Sequence, residues 1–316
     1  MNNSLQTPVL LLIFNRPQTT KKVFDAIRNV RPEKLYISAD GPRSNVEHDQ
    51  ELCDQTRQIV SNIDWPCSVQ TLFRDENMGV RYAVTTGIDW FFEHEEEGII
   101  LEDDCLPGIE FFNYCSELLN TYRNDVRVMH ITGTNLQFGR KRGNASYYFS
   151  TIPCVWGWAS WRRVWNLYDR EMEKFPKFEE QNQIVNVFPD KKTADWVINM
   201  ARLIYEKKVI TWDYPLAFTI CINNGLCIVP NENLVSNIGF GEGSTHTIDG
   251  SHAHSNIPVK ELGTIEHPKF MIPDRQADLF ELSLSINNVK SSEVNKEKEV
   301  PKLNILQKIK RRLLHA

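Results

Sequence analysis

The feature that most narrows the fold is the regular alternation of short apolar runs with helically spaced ones over residues 1–105. Pro8 to Phe14 carries the unbroken run Val9-Leu10-Leu11-Leu12-Ile13-Phe14, the pattern of a strand buried on both faces. After Pro17, apolar Val23, Ile27 and Val30 share one helix face. Lys34 to Ala39 reads as a second strand, closed by the turn residues Asp40-Gly41-Pro42. A polar loop, a helix around Leu52 to Ile59 and a strand over Ser68 to Phe73 follow. Val80, Val84, Ile88 and Phe91 mark another helix, and Gly98 to Leu101 a short buried strand. This order predicts an α/β fold: a mostly parallel central sheet, right-handed connections and helices on both faces.

A chain of 316 residues is long enough for one large α/β domain or two fused halves. Its formal charge of −5 argues against a nucleic-acid partner. The seven cysteines are odd in number and form no CxxC pair, so reduced, mostly buried thiols are expected. The apolar run after Pro8 is too short for a signal core or a membrane span. The cytoplasm is the expected location.

Beyond residue 105 the pattern loosens. Pro107 is expected to open a helix bearing Ile109, Phe112, Cys115 and Leu119. Arg127 to Thr132 reads as a strand, and Ala194, Val197, Ile198, Ala201 and Ile204 as one helix face. Trp212-Asp213-Tyr214-Pro215 begins another helix. Ser291 to Pro301 is charged and poor in apolar residues, the composition of a linker. Lys302 to Ala316 sets Leu306, Ile309 and Leu313 among Lys308, Lys310, Arg311 and Arg312. That segment suits a solvated end or peripheral contact with an anionic membrane surface equally well.

The chemistry concentrates at Glu102-Asp103-Asp104, directly after Ile99-Ile100-Leu101. Ligands of open parallel sheets bind beyond the carboxyl ends of the strands. Three adjacent carboxylates repel one another unless a cation or hydrogen bonds compensate. Mg²⁺ and Mn²⁺ take oxygen ligands, commonly one or two carboxylates plus substrate phosphates. A solvated acidic loop is the other reading; the abrupt end of a buried strand favours the cation. Glu95-Glu96-Glu97, just upstream, reads as a solvated helix end.

In order, Phe14-Asn15-Arg16-Pro17, Ile37-Ser38-Ala39-Asp40-Gly41, Ile99 to Asp104, Phe111-Phe112, Trp156-Gly157-Trp158 and Thr211-Trp212-Asp213 resemble bacterial GT-A-fold nucleotide-diphospho-sugar transferases, the HlpA-like glycosyltransferases among them. The chain is more distantly similar to the N-acetylglucosaminyltransferase that initiates hybrid and complex N-glycans. The resemblance spans residues 8–248. It implies a GT-A fold with a nucleotide-sugar-binding half over residues 1–105, an acceptor-binding and catalytic half over 106–250, and a C-terminal extension over 251–316. It also implies roles. Arg16 approaches the donor diphosphate, Asp40 contacts the base or ribose, and Glu102 and Asp103 orient the sugar nucleotide. Asp104 holds Mn²⁺ or Mg²⁺. Asp213, beside Trp212, takes the acceptor proton, with inversion at the anomeric carbon. From the residues themselves, at least one of Trp156, Trp158 and Trp161 is expected to face the sugar, Trp158 being the candidate. His246, in a Gly-rich segment that could close over the diphosphate, is expected to contact phosphate or metal; His252 and His254 read as loop. The implied partners are a nucleotide sugar, UDP-linked by preference, and a glycan or lipid-linked acceptor.

Each of these residues also has a plainer reading. Arg16 suits an exposed loop, Asp40 an Asp-Gly turn, Asp213 a helix N-cap, and the tryptophans core packing. Two rival functions follow. A sugar nucleotidyltransferase shares the sheet architecture but normally has a Gly-rich basic loop where this chain has Phe14-Asn15-Arg16-Pro17. A non-catalytic, haemolysin-like binding protein would bind no sugar nucleotide.

Overall fold

A computed structural model describes residues 4–240 and 254–286. The linker, the basic C-terminal segment, His246 and His252 lie outside the described residues. The strands are β1 (Val9–Ile13), β2 (Lys34–Ala39), β3 (Ser68–Phe73), β4 (Glu97–Glu102), β5 (Cys105–Pro107), β6 (Val128–Thr132), β7 (Tyr147–Ser150), β8 (Trp158–Trp161), β9 (Leu226–Pro230) and β10 (Val235–Asn237). The helices are α1 (Pro17–Val30), α2 (Asp49–Ser61), α3 (Gly79–His94), α4 (Ile109–Tyr122), α5 (Arg162–Trp165), α6 (Phe175–Glu180), α7 (Ile184–Val187), α8 (Lys191–Tyr205) and α9 (Asp213–Ile222). A further helical stretch covers residues 275–286.

β1 is buried along its whole length because it lies inside the sheet, between β2 and β4, with both pairings parallel. The eight-stranded sheet has the order β3-β2-β1-β4-β8-β6-β9-β7. The parallel pairs are β1–β2, β1–β4, β2–β3 and β6–β9. This is the mostly parallel α/β architecture that the alternating pattern predicts. α1 packs against α2 and α4 on one face, while α3 packs on β1, β2 and α5, as right-handed crossovers in opposite directions require. β1 to β3 progress one way and β4 lies on the other side of β1, which opens a crevice between the carboxyl ends of β1 and β4. The β4–β8 pairing carries the sheet into the second half of the chain, and one apolar core runs through both.

Two local expectations fail. Pro107 opens no helix: it ends β5, paired antiparallel with Val235 of β10, and α4 begins at Ile109. A two-stranded ribbon, invisible to local periodicity, claims that proline. The Glu95 to Glu97 run is not a solvated helix end either. α3 stops at His94, and the buried Glu95 accepts hydrogen bonds from Tyr36 Oη at 2.6 Å and Lys34 Nζ at 2.9 Å. Glu97 is already in β4 and pairs with Arg123, leaving only Glu96 well exposed. All seven cysteines are free. No described helix is long and apolar enough to cross a membrane.

Candidate active site

The register of β1 and β4 sets Leu12 beside Glu102, so the residues leaving both strands converge. Phe14 N–H donates to Asp103 Oδ2 at 3.1 Å. Arg16, in the turn before Pro17 opens α1, donates from Nη1 to Asp104 Oδ2 at 2.7 Å and lies 3.6 Å from Asp103 Oδ1. The segment after β10 closes over this cluster: Ile238 N–H donates to the Asp104 carbonyl at 2.8 Å. Gly239 packs so tightly that a Cβ there would collide with the Asp104 carboxylate. Arg16 and Asp104, 88 residues apart in sequence, thus form one constellation with Asp103 at the crevice.

Charge is in excess there. Burial, then Asp104, Asp103 and Asp213, push the Glu102 carboxyl well above the usual carboxylate range. Burial and Asp104 push Asp103 up to about 7, against the pull of Arg16 and the Phe14 N–H. Burial opposes the charge of Arg16, but Asp103 and Asp104 outweigh it and raise its pKa. Among the described residues one guanidinium faces three crowded carboxyl groups, and a cation would relieve the repulsion that raises the pKa of Glu102 and Asp103.

The residues present fit a cation of a particular kind. Among the described residues no three His, Cys, Asp or Glu side chains converge as a metal-binding group, so these residues alone do not cage an ion. Asp104 Oδ1 meets only the Cys105 thiol, at 3.5 Å, among the described residues. That oxygen suits a hard cation held by one or two carboxylates and completed by a ligand's phosphate oxygens.

Asp40 takes a different part from the expected one. Its Oδ1 accepts from Gly41 N–H and Met78 N–H, both at 2.9 Å. Its Oδ2 accepts from Asn77 Nδ2 at 2.9 Å and Gly79 N–H at 3.2 Å. A carboxylate offers about four acceptor sites, so all are used within the protein. Asp40 therefore ties the start of α3 to the end of β2 and presents no open oxygen to a base or ribose. Gly41 is required because a Cβ would strike the Glu76 backbone.

Asp49, which the sequence reading passed over, anchors the neighbouring loop. Fully buried, it accepts from Arg43 Nη2 at 2.8 Å, Arg43 Nε at 3.0 Å and Arg43 N–H at 2.7 Å. Asn15 Nδ2 donates to it at 2.6 Å, and the Arg43 guanidinium lies 5.3 Å from the Phe14 ring centre. The Arg43 hydrogen bonds outweigh burial and lower the Asp49 carboxyl to about 2. No local pattern marks this aspartate; only its spacing from Arg43 across a polar loop hints at a pair.

Asp213 is the first residue of α9; the Thr211 hydroxyl donates to it. It lies within electrostatic reach of Glu102 and also lines a cavity of about 340 Å³. Trp212 behind it is buried and stacks on Trp158 at 6.0 Å. Trp158 is 1% exposed, held between Trp212 and His130, 5.1 Å away. It is a core residue and has no face for a sugar. The half-buried Trp156 lines the same cavity as Asp213, with Phe240 and His254 at its edge. The spacing of Trp156-Gly157-Trp158 shows that the two tryptophans differ, but only the strand assignment tells which is inside.

No family model matches the chain, and no curated protein does. Among solved structures the chain is similar to UDP-glucose pyrophosphorylase complexed with UDP-glucose, at 9% identity, over 51% of this chain and 78% of that one, with a TM-score of 0.30. It is similar to HddC from Yersinia pseudotuberculosis at 8% identity, over 55% and 87%, with a TM-score of 0.33. It is also similar to 4-diphosphocytidyl-2C-methyl-D-erythritol synthase from Anaerococcus prevotii at 10% identity, over 51% and 75%, with a TM-score of 0.33. Likeness at this level carries no argument about activity.

Proposed function

We propose that this chain transfers a sugar from a nucleotide diphosphate sugar to a hydroxyl acceptor, as a GT-A-type glycosyltransferase. The observation that supports the reading is the position of Asp213: its carboxylate lines a cavity large enough for a second substrate and is close enough to Glu102 to be felt electrostatically. The diphosphate lies against Arg16, at the start of α1, where guanidinium and helix N-terminus both favour anions. Asp103 and Asp104 hold Arg16 in place. A divalent cation on Asp104 supplies further charge neutralisation for the diphosphate when bound.

The acceptor hydroxyl donates its proton to Asp213 as its oxygen bonds to the anomeric carbon. The bond from that carbon to the diphosphate oxygen breaks, and the nucleoside diphosphate leaves with the electron pair. Attack opposite the leaving group inverts the configuration. Arg16 faces the developing negative charge, an electrostatic contribution concentrated in the transition state.

Calorimetry with a panel of nucleotide sugars, with and without Mn²⁺, tests the donor half. Asp104→Ala is expected to weaken Mn²⁺-dependent donor affinity at least about 100-fold, roughly the loss of a charge-assisted contact and a metal anchor together. Unchanged affinity in that variant removes Asp104 from the donor site. Pyrophosphate release from a nucleoside triphosphate and a sugar phosphate would make the protein a nucleotidyltransferase instead.

A further inference from the structure

α9 places Asp213, Ala217 and Cys221 four residues apart, a single row along one helix face, and all three line the cavity. Eight residues of helix rise about 12 Å. A ligand lying along this row has one end at the Asp213 carboxylate and the rest beside Ala217 and Cys221. The rest of the lining is predominantly apolar, with Phe178, Trp196, Val197 and Leu282 contributing beside a few polar groups such as Asn186 and Arg275. Trp196 and Val197 sit on α8 and are only half-buried, although Val197 belongs to the apolar face of that helix. Glu281 lines it as well; burial raises the Glu281 carboxyl from its ordinary value, and Arg275 lies 3.6 Å from the buried Asp278. Protein interiors contain few voids larger than a water; a cavity of about 340 Å³ is the size of a small-molecule site.

We infer that the acceptor is an amphiphile: its reacting hydroxyl sits at Asp213 and its apolar portion fills the cavity between α8 and α9. The inference rests on Asp213 being the base of the proposed transfer. It names the acceptor class, which the acidic crevice alone does not. A purely polar glycan would leave this wall wetted and unmatched.

The test uses the full chain and two probes with the same sugar, octyl β-D-glucoside below its critical micelle concentration and methyl β-D-glucoside. Tryptophan emission follows binding, since Trp156 and Trp196 both line the cavity. Octyl glucoside is expected to bind saturably and at least about tenfold tighter than methyl glucoside, because the extra methylenes leave water. Ala217→Phe, which fills the row beside Asp213, is expected to weaken octyl glucoside about tenfold and to leave nucleotide-sugar affinity within twofold. Val197→Trp, from the opposite helix, provides the same block if the first variant does not fold. Equal binding of the two glucosides, or unchanged octyl binding in a folded blocked variant, overturns the inference and leaves the cavity to another segment or protein. Transfer onto acceptors lacking any apolar part, with octyl glucoside unbound, defeats the amphiphile and leaves the transferase reading standing. Failure to bind any nucleotide sugar defeats that reading itself, and this inference with it.

Discussion

At the residue scale, the site depends on carboxylates in three different states. Asp103 and Asp104 are paired with Arg16, Asp40 is saturated by amides, and Asp49 is clamped by Arg43. The last gives a clean pH prediction. The Asp49 carboxyl lies at about 2 in the folded chain against 3.8 for an unperturbed aspartate. Its ionised form is favoured by folding, so its contribution is fully present above pH 3.8 and is lost as pH falls through about 2. The contribution is about 2 kcal/mol. Urea unfolding of Asp49→Asn against the native chain should show that deficit near pH 5 and a narrowing gap toward pH 2. A constant gap would mean that Asp49 acts by packing alone.

At the element scale, the strand ends do the positioning. Asp40 fixes the first amides of α3, Met78 and Gly79, which have no partner within the helix. Asp40→Asn is therefore expected to cost about 1–2 kcal/mol of stability, as loss of a helix cap does, with faster amide exchange at residues 78 and 79. An effect on donor affinity with stability unchanged would restore Asp40 to the donor site. The first four strands were legible because β1 and β4 carry continuous apolar runs, β2 is mostly apolar and closed by the Asp40-Gly41-Pro42 turn, and β3 alternates apolar with polar residues. β1 could hardly be anything else. The β5–β10 ribbon was not legible, because its pairing joins residues that only tertiary packing brings together. The same limit hid Asp49, whose partner Arg43 looks like an ordinary loop residue, and it hid which tryptophan of Trp156-Gly157-Trp158 faces inward. Arg16, Asp103 and Asp104 were legible as separate signals at strand ends. Their contact follows from the parallel register of β1 and β4, which a single sequence does not print.

At the scale of the whole molecule, one continuous sheet brings together what the two halves of the chain supply. The first half contributes Arg16 and the acidic cluster, and the second contributes Asp213 and the cavity walls. The topological switch between β1 and β4 makes the crevice, and the β4–β8 pairing carries the sheet across to the second half. The central claim is that Asp213 takes the acceptor proton while the nucleoside diphosphate departs on the other side. The most direct measurement is nucleoside diphosphate release from the bound donor, in the presence of acceptor, by the native chain and by Asp213→Asn. The expected result is release by the native chain, at least about 100-fold slower release by the variant, and donor affinity within about threefold between them. Release by Asp213→Asn at the native rate, or pyrophosphate as the product, would contradict it.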